Sequence, residues 1–159
     1  MSTIAYRDGI IAADTLCVRG DMRAFHRTKM GRRADGTLGG AGGNLSFCAA
    51  FIEWVESGDG DAPERHQDKH SSDVGFIVYP DGRIRIFEHG GDSFVQAPYI
   101  AIGSGCPFAL AAMYLEQTAF AAVAVAIHFD IYSGGNIEMY HQDNPTMAVI
   151  DVNKITNAD

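Results

Sequence analysis

Ser2 stands directly after the initiator methionine, and that placement concentrates two reactive groups in one residue. Methionine aminopeptidases favour small second residues, so removal of Met1 is expected. It would leave Ser2 with a hydroxyl and a free α-amine. An α-amine has a reference pKa of about 7.7–8.0, and a general base works best when its pKa lies near the working pH. One residue could then supply both nucleophile and base, as an N-terminal threonine does. Other reactive side chains point to less. His66 and His70 are four apart, a spacing that shares one face on a helix. Gln67 holds the position where a zinc peptidase needs Glu, so no metal is expected there. Cys17, Cys48 and Cys106 are an odd, scattered set, neither a disulfide framework nor a zinc site. Cys106 reads as a small buried residue with no paired base. The runs Gly39-Gly40-Ala41-Gly42-Gly43 and Gly103-Ser104-Gly105 fail the dinucleotide fingerprint, because Leu45 and Phe108 occupy its third glycine position. No Walker A lysine motif occurs, and no cofactor is expected.

The elements that must hold these residues are legible from punctuation. Thr3 to Tyr6 and Ile10 to Ala13 are apolar runs split by Asp8-Gly9, a hairpin signal. Residues 15–25 read as a loop. His26 to Arg33 and Thr37 to Ala41 read as a second hairpin around Asp35-Gly36. Asn44 suits an N-cap for a helix from Leu45 to Val55, with apolar residues at helical spacing. Residues 58–72 are polar and read as an exposed loop. Val74 to Tyr79 and Arg83 to Glu88 form a third hairpin around Pro80-Asp81-Gly82. Tyr99 to Ile102 is a strand. Pro107 opens a helix running to about Gln117, and Thr118 caps another to Phe129. Ile137 to Tyr140 and Met147 to Val152 close the chain as strands. Hairpins with helices grouped between them indicate an α+β fold, with two packed antiparallel sheets and helices outside.

Composition agrees with one domain spanning residues 1–159. Hydrophobic residues make up 47%, enough for a core, and the net charge of -8 lacks the basic face of a nucleic-acid binder. That charge also disfavours an anionic membrane surface. The N-terminus has no secretory pattern, and no apolar run reaches the length of a membrane span. Unpaired cysteines add to the expectation of a reducing, cytoplasmic setting.

Order and spacing carry more than any single residue. Ser2 opens a strand, Asp14 ends the paired strand, and Lys29 follows fifteen residues on. Gly103-Ser104-Gly105-Cys106-Pro107-Phe108 enters a helix, and Asp130-Ile131-Tyr132-Ser133-Gly134 follows the last helix. Over residues 2–152 the chain resembles the proteasome β-subunit family and the bacterial proteasome-like peptidase HslV. In the Asp130–Ser133 segment it looks more like the β-subunit.

The resemblance implies a four-layer αββα sandwich of the N-terminal nucleophile hydrolase kind. It is shortened by one helix, because a polar loop stands between the first long helix and Val74. It implies an endopeptidase in which Ser2 matches the nucleophile and Lys29, paired with Asp14, lowers the pKa of the reacting groups. Gly39 matches the glycine whose N–H forms the oxyanion hole. Ser104 matches the serine that positions the amine and a water, and Asp130 and Ser133 match the supporting pair. Serine in place of threonine lacks the methyl group that fixes the rotamer. The expected partners are a peptide or unfolded-protein substrate, further copies in a homo-oligomeric ring, and an ATPase unfoldase. Two other uses of the fold stay open: a non-catalytic assembly scaffold and a small-molecule amidohydrolase.

Overall fold

The computed structural model describes residues 2–66, 68 and 70–154. Met1 and Gln67, both weighed above, lie outside the described residues. Strands β1 (Ile4–Arg7) and β2 (Ile10–Asp14) form the first hairpin, with Ile4 opposite Ala13. They join β10 (Tyr99–Ile102), β11 (Ile137–His141) and β12 (Asn144–Ile150) in a sheet of order β10-β1-β2-β11-β12. A second sheet has the order β5-β6-β7-β8-β9, from β5 (Met30–Arg32) and β6 (Leu38–Gly42) through β7 (Val74–Val78) and β8 (Ile84–Glu88) to β9 (Gly91–Val95).

Alternation along the strands builds the layers. Ile4, Tyr6, Ile11 and Ala13 face Met30, Leu38, Phe76 and Val78 of the second sheet. The intervening Ala5 and Ala12 face outward onto helices α2 (Cys106–Tyr114) and α3 (Ala119–Phe129). Alanine on both sides of that contact lets helix and sheet approach closely: Ala109, Ala112, Ala119 and Ala122 meet Ala5, Ala12 and Ala101. Helix α1 (Leu45–Ser57) covers the other face, packing Phe47, Phe51 and Val55 on Ile77 and Phe87. Asn44 caps it by accepting the Ser46 N–H, and Gly58 closes it at φ 72°. The result is the four-layer αββα sandwich, with α1 alone, among the described residues, on its side of the second sheet.

Two expectations are corrected. Residues 15–25 are not a loop: β3 (Leu16–Arg19) and β4 (Met22–His26) pair around Gly20. All five residues of β4 are exposed, so that strand lacks the buried stripe that sequence patterns detect. Strand β9 was also missed, because Gly91, Asp92 and Ser93 are poor strand formers placed by pairing with β8. Among the described residues no helix is long and apolar enough to cross a membrane.

Candidate active site

Thr3 lies opposite Asp14 where the first hairpin ends. The Asp14 N–H donates to the Thr3 carbonyl at 3.1 Å, and the Thr3 N–H donates to Asp14 Oδ1 at 2.9 Å. Lys29, on the residue before β5, is 3% exposed and donates from Nζ to the same Oδ1 at 2.8 Å. Gly134 N–H donates to Asp14 Oδ2 at 2.9 Å. The buried carboxylate therefore holds three donors, as a buried charge requires. Lys29 also donates to the Leu16 carbonyl, which leaves one of its three N–H groups.

A second polar chain reaches Ser2 from the other side. Asp130 Oδ2 accepts from Ser133 Oγ at 2.6 Å and from Ser104 Oγ at 2.7 Å. Ser133 has spent its only proton, so the hydroxyl pair at 2.7 Å has Thr3 Oγ1 donating to Ser133 Oγ. Ser104 Oγ lies 3.5 Å from the Ser2 carbonyl, and Gly105 N–H donates to that carbonyl at 3.4 Å. Gly103 permits this approach: a Cβ there would sit 1.9 Å from the Ser2 carbonyl oxygen, and its φ of +94° disfavours any side chain.

Ser2 is thus held between Asp14–Lys29 and Ser104–Asp130–Ser133. Its hydroxyl bonds to no other described residue. Ser2 lines two recesses. One carries Cys17, Val18, Arg27, Lys29 and Cys48. The other carries Gly42, Ser72, Val74, Gly103 and Ser104. Gly43 lines both. Burial pushes the Cys48 thiol up to about 11, against the opposing pull of Arg27, so this one thiol is protonated at neutral pH. Burial also raises Cys106.

Six of the seven residues singled out from the sequence are brought together: Ser2, Asp14, Lys29, Ser104, Asp130 and Ser133. Gly39 is not. It sits mid-strand in β6, opposite Gly31 and Ile77, and a Cβ there would meet Val55 Cγ2 at 2.7 Å and Ile77 Cγ2 at 2.9 Å. It faces α1, away from Ser2. Ala41 N–H donates to the Lys29 carbonyl, and residues two apart point their N–H groups to the same edge. The Gly39 N–H is therefore turned to the β5 ladder. Gly43 lies past the end of that pairing, and its N–H donates to no acceptor among the described residues. Thr3 was also missed; a residue at i+1 from a candidate nucleophile carries no separate signal.

The two histidines of the 58–72 segment each find an aspartate. His66 bonds to Asp73, and His70 N–H donates to Asp68 Oδ1. Among the described residues no group of three or more metal-ligating side chains converges.

No protein-family model matches the chain, and no curated protein matches it. The fold does match solved structures. One, described as Thiobacillus denitrificans BPH in complex with Epoxomicin, aligns with a TM-score of 0.61 at 22% identity, covering 95% of this chain and 98% of that one. The likeness shows the fold, the proteasome-like sandwich that the sequence resemblance implied.

Proposed function

We propose that the chain is an N-terminal nucleophile hydrolase that cleaves peptide amides after removal of whatever precedes Ser2. The observation that supports it most is the Ser2 hydroxyl, without a partner among the described residues, set between a buried lysine and a relay of two serines and an aspartate, at a recess where the Gly43 N–H is likewise unused by them. The freed Ser2 amine, directly or through a water held by Ser104, takes the hydroxyl proton. Ser2 Oγ attacks the carbonyl, and the Gly43 N–H faces the developing oxyanion. Gly43 takes this role in place of Gly39. The amine returns the proton to the leaving nitrogen, an ester forms on Ser2, and water hydrolyses it. Lys29, oriented by Asp14, places a positive charge beside the reacting hydroxyl and amine.

The epoxomicin held by the Thiobacillus structure favours the same chemistry, since a peptide epoxyketone consumes both a hydroxyl and a free N-terminal amine. Self-assembly and an unfoldase partner belong to the same reading, as does a cytoplasmic setting, where the three free cysteines stay reduced.

Intact mass before and after exposure to a peptide epoxyketone tests it. The expected result is a chain beginning at Ser2 that gains one adduct, with none on Ser2→Ala. A chain that retains Met1 and stays unmodified would overturn the catalytic reading and favour a scaffold.

A further inference from the structure

Asp73 directly precedes β7, and its side chain is 1% exposed. The mechanism above gives it no part. Its carboxylate nevertheless gathers three donors around the one turn that matters. Oδ1 accepts the Asn44 N–H at 2.8 Å. Oδ2 accepts the His66 N–H at 3.0 Å and lies 2.6 Å from His66 Nδ1. Gly43 packs directly on it: a Cβ on Gly43 would sit 2.6 Å from both Asp73 Cα and Oδ1. Gly43 holds φ +116°, a conformation that needs support from its surroundings. Asn44, the next residue, caps α1. The turn that presents the Gly43 N–H is therefore fastened on one side by the helix cap and on the other by Asp73. His66, half-exposed in the 58–72 segment, fastens Asp73 in turn.

We propose that Asp73 and His66 are positioning residues, which lock the Gly43–Asn44 turn so that its N–H meets the oxyanion formed on attack by Ser2. This rests on the reading of Ser2 as nucleophile and Gly43 as oxyanion donor. An oxyanion donor acts only when it lies about 2.7–3.1 Å from where the charge develops. A carboxylate suits the post because every group around it donates. An amide at position 73 would set an NH2 against the N–H of Asn44 or His66. Substrate affinity in the ground state depends little on this contact, so the turnover step carries the effect.

The test follows adduct formation by mass with a peptide epoxyketone, giving a limiting rate and a half-saturating concentration. It uses the full chain and its Asp73→Asn, His66→Ala and His66→Asn variants. Loss of one oxyanion donor lowers turnover by about 10²–10³-fold elsewhere, so a displaced donor lowers the limiting rate by about 10–100-fold here. The expected result is that loss in Asp73→Asn and His66→Ala, at an unchanged half-saturating concentration. His66→Asn, whose side-chain amide donates from nearly the place of Nδ1, returns most of the rate. In parallel, hydrogen exchange at the Asn44 N–H is expected to quicken in Asp73→Asn and His66→Ala.

Variants that react at the wild-type rate would overturn the positioning role and leave the function standing. So would a loss in His66→Ala that His66→Asn does not restore. A wild type beginning at Ser2 that forms no adduct removes the function and the positioning role together. Unchanged Asn44 exchange in the variants would remove the clamp itself.

Discussion

Lys29 carries a charge into the interior, and its environment makes the consequence of losing it measurable. Asp14 is fully buried and holds three donors, one of them the ammonium. Breaking a buried pair by removing one partner costs about 3–5 kcal/mol, because the other charge is left uncompensated. Lys29→Met is expected to lower Tm by about 10 °C for a chain of this size and to abolish epoxyketone capture. A Lys29→Met variant that melts with the wild type would mean that the ion pair contributes nothing to stability. Cys48 offers an independent check on the recess. With its thiol pushed up to about 11, only about one molecule in a thousand carries the thiolate at pH 8. Iodoacetamide is therefore expected to label Cys48 in the folded chain far more slowly than in the unfolded chain. Equal rates would contradict the burial of this sulfur.

Strand and turn decide which glycine does what. Gly39 and Gly43 both belong to one glycine-rich run, yet one backs onto α1 and the other onto Asp73. Gly39→Ala overpacks the contact with Val55 and Ile77, a change that costs about 1–3 kcal/mol. It is expected to lower Tm while leaving the folded fraction reactive. Gly43→Ala is expected to lose reactivity at once, since the methyl group displaces the turn. Reversed outcomes would return the oxyanion role to Gly39.

The same turn gives a pH dependence. Burial acts to raise the Asp73 carboxyl and is the largest single influence. The N–H groups of His66 and Asn44 and the His66 side chain together outweigh it, so the group lies below its ordinary 3.8. A depressed acid contributes stability above its unfolded value and loses it as pH falls through the folded one. Wild-type Tm is expected to drop below pH 3.8, and Asp73→Asn to show a shallower drop over the same range. Parallel Tm–pH curves would show that Asp73 titrates alike in both states.

At the scale of the molecule, the outer helix layer is left apolar. Phe129 is 61% exposed and Ile131 72%, with Tyr114 and Leu115 exposed at the end of α2. Phe108 stacks on Phe129 with ring centroids 5.6 Å apart. Exposed clusters of this kind mark contact surfaces, in keeping with the assembly proposed above. Sedimentation is expected to show a multimer of the wild type and a shift toward monomer for Phe129→Glu combined with Ile131→Glu. A monomeric wild type would leave the ring without support.

Much of the sandwich was legible in the chain, and so were most of the residues proposed for the site. Hairpin turns such as Asp8-Gly9, the Asn44 and Thr118 caps and the alternation of β1 and β2 are local signals, and local physics makes them readable. Ser2, Asp14, Lys29, Ser104, Asp130 and Ser133 were legible through the resemblance of their order and spacing to the proteasome β-subunit pattern. Only the tertiary structure decided between Gly39 and Gly43. Four glycines in five positions look alike until pairing with β5 consumes one N–H and leaves another. Only the fold brought His66 and Asp73 onto the Gly43 turn, since a bond formed across a polar loop has no periodicity to announce it. Thr3 became the bridge between Asp14 and Ser133 for the same reason: its partners are 11 and 130 residues away, and only the packed fold brings them to it.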